Sequence, residues 1–459
     1  MSAHSQTFLA NGAVKTEDRE HRRKINFNMA KYDAAVVKGK EQFSDLHLAR
    51  ERAKNTKWKA IGNLDKMLDD FEKAITKRGA KVIWARDSAE ALEAIGNICR
   101  EKNCKMIVKS KSMVTEEIHL NDFLEKQGIT SIETDLGEYI QQLDGEPPYH
   151  IVTPAMHKSK EDVARLFAEK LGTDPQLTPV QLTQVAREKL RKKYAEADIG
   201  ITGANFIISD IGAVAVSENE GNARLSCSMP KTHIVITGLE KVIPSLNDLA
   251  LFWPLLATYG TGQQITVYNS VICGPKQPGE TDGPEDMYVI LLDNGRTNLL
   301  INEKLRESLY CIRCGACLNA CPVYKNIGGH SYETSYSGPI GSVITPHLRG
   351  MSEWKHLSFA SSLCGNCTEV CPVKINLHEL LLENRHESVE KKQSKMLERI
   401  GWRFWKIAMM RRFIMNAGTR RSKNWVVNRL LKGWKKHRTA IEFPEKSFNR
   451  LWKEYNRNR

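Results

Sequence analysis

Seven of the eleven cysteines fall between residues 311 and 371. Cys311, Cys314, Cys317 and Cys321 are spaced C-x2-C-x2-C-x3-C and followed by Pro322. Cys364, Cys367 and Cys371 repeat the last three positions and are followed by Pro372. Two-residue gaps let a tight loop turn successive sulfurs inward onto one small inorganic core, and the proline then ends the loop. This is the bacterial-type ligand spacing of a cubane iron–sulfur cluster. Zinc sites favour four ligands in two pairs, which the compact four-cysteine run fits poorly.

In two-cluster ferredoxins the fourth cysteine of each run crosses to the other cluster. That rule predicts one cluster on Cys311, Cys314, Cys317 and Cys371, and a second on Cys321, Cys364 and Cys367. Ser361 stands at the missing eighth position. Three readings follow for the second site: a three-iron cluster, a four-iron cluster with an open or oxygen-ligated iron, or completion by a cysteine from elsewhere in the chain or from a partner. Roughly forty residues separate the runs, including a Gly/Ser/Tyr-rich loop over 328–341. Apolar residues recur at helical spacing after Pro372, at Ile375, Leu377, Leu380 and Leu381. The expected arrangement is a helical ferredoxin, with helices before Cys311 and after Pro372.

Upstream, strand and helix patterns alternate. Residues 61–75 read as an amphipathic helix through Ile61, Leu64, Leu68, Phe71 and Ile75, with Gly79 as its C-cap. Strands are expected at 81–85, 105–109, 129–133 and 149–153, with helices at 88–102, 115–127 and 160–171. Further strands are expected at 197–203, 212–217, 233–237 and 287–292. This alternation predicts an α/β domain with a mainly parallel sheet. The domains are placed at 1–38 (polar, loosely ordered), 39–300 (α/β), 301–390 (α-helical ferredoxin) and 391–459 (basic helical tail).

The net charge is +14, yet the last 69 residues hold 21 Lys and Arg against 4 Asp and Glu, a net +17. The basic character therefore belongs to the tail. Five of nine tryptophans lie there, at Trp402, Trp405, Trp425, Trp434 and Trp452. A basic amphipathic helix can complete the protein's own core, dock on an acidic partner or lie on anionic lipid. No nucleic-acid motif accompanies it, and no nucleic-acid partner is expected. The start is polar, without a signal-peptide core, and no apolar run reaches membrane-spanning length. A cytoplasmic location is expected, where cluster thiols stay reduced. Cys99, Cys104, Cys227 and Cys273 read as small buried apolar residues.

Other chemistry is thinner. Lys109-Ser110-Lys111-Ser112 follows a strand and precedes a helix, so it can bind an anion or serve only as a turn with Ser112 or Thr115 as N-cap. Tyr259-Gly260-Thr261-Gly262 lacks the third glycine of a dinucleotide loop. His119, His233 and His330 read as structural or exposed. No catalytic residue is assigned.

Taken together, the chain resembles the bacterial lactate utilization protein B family from about residue 40 to the end. The matching stretches are 108–117 (VKSKSMVTEE), 200–204 (GITGA), 212–222 (GAVAVSENEGN), 283–286 (GPED) and 291–296 (LLDNGR), followed by the cysteine runs. The resemblance implies two four-iron clusters on the seven cysteines. It implies a sugar-isomerase or coenzyme A transferase type of fold for the α/β part. It also implies a role in oxidising L-lactate to pyruvate with two partner proteins, one an iron–sulfur protein and one a second lactate-utilization-domain protein. Ser217-Glu218-Asn219-Glu220-Gly221 is similar to the glutamate loop of coenzyme A transferases, but Glu220 interrupts that pattern, which argues against nucleophilic catalysis.

Removing hydride from a hydroxy acid needs a flavin, nicotinamide or metal acceptor, and no flavin or nicotinamide motif is present. The reading with fewest assumptions is an electron-transfer subunit. The alternatives are a self-contained hydroxy-acid oxidoreductase using an open cluster iron, and a cluster-binding sensor or assembly protein without turnover.

Overall fold

The computed structural model describes residues 2–431 and 438–459. It divides into two compact units, Met1–Ser388 and Val389–Arg459. The ten strands of the first unit are β1 (Lys81–Ala85), β2 (Met106–Lys109), β3 (Thr130–Glu133), β4 (Ile199–Thr202), β5 (Phe206–Ile208), β6 (Ala213–Glu218), β7 (Thr232–Gly238), β8 (Val242–Ile243), β9 (Tyr268–Ile272) and β10 (Asp286–Leu292). Six form an all-parallel sheet in the order β1-β10-β7-β4-β2-β3. Its central strands β4 and β7 are buried throughout, as expected of a parallel sheet covered on both faces. A second sheet, β8-β5-β6-β9, pairs β5–β6 and β6–β9 antiparallel. The fold is thus α/β, followed by a helical ferredoxin region.

Several local expectations change. Residues expected to be loose form two helices, Ala3–Glu17 and Arg19–Lys40, capped by Ser2 and Asp18. Each buries only a narrow stripe, Phe8 on the first and Ile25 and Met29 on the second, which a mostly polar composition hides. The 61–75 helix is interrupted at Asn63, and its second half, Leu64–Thr76, ends at Lys77. Gly79 (φ +95°) instead turns the chain into β1. The expected helix over 115–127 splits into Met113–Glu117 and Leu120–Lys126 at His119, which takes a left-handed φ of 55°. Residues 149–153 form no strand. Their backbone is engaged elsewhere: Tyr149 N–H donates to Pro154 O at 2.9 Å, and Tyr149 O accepts from the Tyr324 hydroxyl at 2.7 Å. Two helices outside the expectation, Leu136–Asp144 and Pro179–Glu196, pack Ile140, Leu182 and Leu190 over one face of the sheet with Phe167.

One core cluster runs from Phe8 through the second sheet to Leu381, so the cysteine region packs against the α/β part. Arg50, on helix Leu46–Gly62, donates to the carbonyls of Glu369 and Cys371 at 2.7 and 2.8 Å. Cys99 and Cys104 are buried, whereas Cys227 and Cys273 are only half-buried. His119 is exposed, and His330 Nε2 lies 2.8 Å from the Pro147 carbonyl, a structural contact.

His233, wholly buried on β7, has Nε2 2.8 Å from Thr202 Oγ1, and its Nδ1 has no partner. Burial pushes it down to about 3 from 6.5. The folded state therefore keeps it neutral, and the associated stability is full above pH 6.5 and declines as pH falls toward 3. At pH 5 the loss is about 2 kcal/mol, at about 1.4 kcal/mol per pH unit. His233→Gln, which keeps a hydrogen-bonding side chain without the titration, should show a smaller drop in urea midpoint between pH 7 and pH 5. Identical drops in the two proteins would sink this expectation.

In the second unit the helices Met396–Met410, Arg412–Asn416, Arg420–Leu430 and Phe448–Arg457 bury no residue. Trp402, Trp405, Trp425 and Trp452 are exposed, and this unit builds no core of its own around them. Trp434 lies outside the described residues. Among the described residues no helix is long and apolar enough to cross a membrane.

Candidate functional site: two cysteine loops and a strand-end cavity

The two cysteine runs share one backbone conformation. Arg313 and Leu363, each preceding a cysteine, take φ values of 61° and 55°, and Gly315 and Gly365, each following one, take 79° and 84°. Cys317 and Cys367 then sit in one-turn helices, Ala316–Ala320 and Asn366–Glu369. The turns close alike: Leu318 N–H reaches Gly315 O at 2.9 Å, and Thr368 N–H reaches Gly365 O at 2.9 Å. The correspondence extends to the missing position. Arg313 N–H donates to Cys311 Sγ at 3.4 Å, and Leu363 N–H donates to Ser361 Oγ at 3.1 Å. Ser361 Oγ thus stands in the second loop where Cys311 Sγ stands in the first.

Cys311, Cys314, Cys317 and Cys371 line one small cavity, walled by Ile151, Ile340, Val373 and Ile375. Four thiols converging inside an apolar shell fit a cluster, whose thiolate ligands need a cation to be stable away from water. Burial pushes the Cys314 and Cys317 thiols up, so in isolation they would stay protonated. Cys321, Cys364 and Cys367 form the other group, where burial raises Cys321 and Cys367 and their mutual proximity adds to it. Cys364 is exposed, so this group reaches the surface while Cys314, Cys317 and Cys371 do not.

Beside the first group the carboxyl ends of the parallel strands open into a cavity of about 540 Å³, lined among others by Ser110, Lys111, Gly203, Lys241, Arg313 and Cys314. Ligands in open α/β sheets bind in this crevice. The strand-end residues come from turns just past β2, β4 and β7, so the sheet brings together segments far apart in sequence.

A buried ionic network stands at the same edge. Arg296, following β10, donates to Glu117 through Nη1 and Nη2 at 2.9 and 2.8 Å, and to Glu240 through Nε at 2.6 Å. Arg313 Nη2 donates to the other Glu240 oxygen at 3.2 Å, and the Tyr336 hydroxyl donates to Glu117 at 2.7 Å. Burial opposes the Glu240 charge, but Arg296 and Arg313 hold it down to about 2. Gly238 has no room for a side chain, because a Cβ there would lie 2.1 Å from Glu240 Oε2 and 2.4 Å from Arg296 Nε. Lys57 donates to the carbonyls of Glu240 and Val242, and burial pushes it down to about 7. Spacing and composition do not reveal this network; its one local signal is Asn294-Gly295-Arg296 immediately after an apolar strand.

The 109–112 segment divides. Lys109 is fully buried, paired with Glu133 at 2.8 Å and Glu116 at 3.1 Å, and is not open to a ligand. Ser112 is the N-cap, accepting from Thr115 N–H. Lys111 pairs with Asp135 at 3.3 Å and faces the cavity. Glu218 accepts from the Ala223 and Arg224 amides at 2.7 and 2.8 Å, a capping role rather than the poise of a nucleophile.

A family model described as LUD domain matches residues 68–292, and one described as 4Fe-4S dicluster domain matches residues 307–375. Lactate utilization protein B of Bacillus velezensis is 48% identical over 343 residues, covering 74% of this chain and 72% of the relative. That of Bacillus subtilis (strain 168) is 47% identical over 352 residues, 76% and 73% of the two chains. That of Geobacillus sp. (strain WCH70) is 45% identical over 386 residues, 82% and 81%. A solved DUF162 family protein from Deinococcus radiodurans aligns with 50% of this chain and 98% of its own at 14% identity, with a TM-score of 0.29, too low to bear on the fold. With its LUD and 4Fe-4S domains in this order and relatives this close along most of their length, the chain belongs to the lactate utilization protein B family.

Proposed function

We propose that this protein is the iron–sulfur electron-transfer subunit of a multi-protein system oxidising L-lactate to pyruvate. The observation that carries the reading is the pair of matching cysteine loops, one buried beside the strand-end cavity and one reaching the surface at Cys364. The names of the relatives supply lactate. Cys311, Cys314, Cys317 and Cys371 would hold one four-iron cluster; Cys321, Cys364 and Cys367 would hold the second, with Ser361 at the position where the motif's eighth cysteine would stand. Bound clusters of this kind supply one-electron transfer. The protein's own contribution is to wall off the first group with Ile151, Ile340 and Val373, and to leave Cys364 accessible to a partner. The partners are two other lactate-utilization proteins, and the setting is the cytoplasm.

The test is genetic. Deleting the gene should abolish growth on L-lactate as sole carbon source and spare growth on pyruvate. Normal lactate growth in a strain without another lactate dehydrogenase would refute the reading.

The tail's uncovered tryptophans and its net +17 fit an acidic partner surface. Truncation after Glu390 should weaken assembly with the partner proteins in pull-down while leaving iron content unchanged. Assembly by the full chain should weaken as salt rises to 1 M, where screening acts over about 3 Å. Salt-independent assembly that survives truncation would refute this docking role.

A further inference from the structure

We propose that the strand-end cavity is a binding site for a small organic carboxylate, held by Lys241 and Arg313. Three cations face this space, and they differ in what already satisfies them. Lys111 is committed to Asp135 at 3.3 Å and to Val152 O at 2.9 Å. Lys241 is 6% exposed, and among the described residues it has no hydrogen-bond or ion-pair partner. The Arg313 side chain is 10% exposed; its Nη2 meets Glu240, its face lies 4.5 Å from the centre of the Tyr336 ring, and its buried Nη1 has no hydrogen-bond partner among the described residues. A cation withdrawn from water without an anion is costly. Glu240 binds Arg296 through one oxygen and Arg313 through the other, and among the described residues it makes no hydrogen bond to Lys241, on which its charge acts only at longer range.

The rest of the lining suits a carboxylate with a short oxygenated body. Ser110, Asn205 and Ser217 offer hydroxyl and amide groups, while Val152, Met156 and Leu256 offer apolar wall. Phosphate alone would leave that wall uncovered, and an apolar ligand would leave Lys241 and the Arg313 Nη1 without a hydrogen-bond partner. Arg313 lies between Cys311 and Cys314, and Cys314 itself lines the cavity, so an anion here abuts the first cysteine loop. The two cations could instead serve only as counter-charge to a cluster on that loop, and the test separates these roles. The preference for L-lactate or pyruvate among carboxylates rests on the functional reading above; the requirement for an organic anion does not.

The experiment uses full-length protein purified anaerobically with its iron. Binding of L-lactate, pyruvate, propionate and inorganic phosphate is measured by calorimetry, and the cluster resonance spectrum is recorded with and without each. At least one of the three carboxylates should bind, phosphate should not compete with it, and the spectrum should shift on binding. Lys241→Met should weaken that binding at least about tenfold, as expected for loss of a charge-assisted contact, with iron content unchanged. Arg313→Gln should weaken it as well. That variant sits within the cysteine loop, so if it loses iron, the affinity of Lys241→Met alone decides. Binding of propionate equal to that of L-lactate and pyruvate would uphold the site while counting against lactate as its substrate. No binding of any carboxylate to the iron-loaded protein, or unchanged affinity in Lys241→Met with only the spectrum altered, would overturn the proposal and assign the two cations to the cluster.

Discussion

Cys321→Ser should cost the protein more iron than Cys371→Ser, although each removes one cysteine followed by proline. Under the crossed assignment, Cys371 is one of four cysteines around the small cavity, and its loss leaves three, enough for a three-iron or labile four-iron form. Cys321 is one of only three, grouped with Cys364 and Cys367. Its loss leaves two cysteines and Ser361, too few thiolates to retain a cubane. The same reasoning makes Ser361→Cys a gain. Ser361 Oγ already accepts the Leu363 amide as Cys311 Sγ accepts that of Arg313, so the new thiol would arrive in a preformed loop. The variant should resist loss of the second cluster to oxygen. Iron and sulfide counts with resonance spectra decide the matter. Equal iron loss in both Cys→Ser variants, with no effect of Ser361→Cys, would remove the crossed assignment.

How far these features were legible in the sequence depends on how local their physics is. The cysteine spacing, the strand patterns other than 149–153 and the helix expected over 88–102 are written in neighbouring residues, and those strands and that helix formed as expected within a residue or two. The reach of the second run's pattern to Ser361 was also local, since it is a matter of counting back from Cys364. Where reading failed, distant partners decided. The N-terminal helices have too few apolar residues to announce themselves, and Phe8 is buried because Tyr332 and His356 pack against it from more than three hundred residues away. Residues 149–153 alternate like a strand, but Tyr324 rather than a sheet edge takes the carbonyl. Lys109 and Lys111 look alike as neighbours of serines; only the fold gives Lys109 two glutamates and leaves Lys111 facing a cavity. Lys241 follows a Leu-Glu pair, and its burial without a hydrogen bond or ion pair among the described residues could not be read from spacing at all.

Arg296→Met should be among the most destabilising single changes in the chain, and its effect should grow with pH. Arg296, Glu117 and Glu240 are 2%, 2% and 1% exposed in their side chains. Removing one partner of a buried ion network costs about 3–5 kcal/mol, because the remaining charges are left uncompensated. In the intact protein Glu240 is held at about 2, and Glu117 is held low by Arg296 and its hydrogen bonds against the cost of burial. Their contribution is therefore fully present above the ordinary carboxyl value of 4.5; that of Glu240 is lost as pH falls toward 2, and that of Glu117 is lost as pH falls below 4.5. Without the guanidinium, burial becomes the dominant influence on Glu117 and raises it above 4.5, so folding then favours a bound proton. The sign reverses: the variant's deficit relative to the intact protein should be smaller at pH 5 than at pH 8. Glu117→Gln in the Arg296→Met background should recover part of the lost stability at pH 8 and little at pH 5, since it replaces the stranded carboxylate by a neutral group of the same shape. Anaerobic urea unfolding of the intact protein and both variants at the two pH values supplies the comparison. A deficit that is the same at pH 5 and pH 8, or a double variant no more stable than the single one at pH 8, would show that Arg296 acts by packing rather than as the counter-charge of these acids.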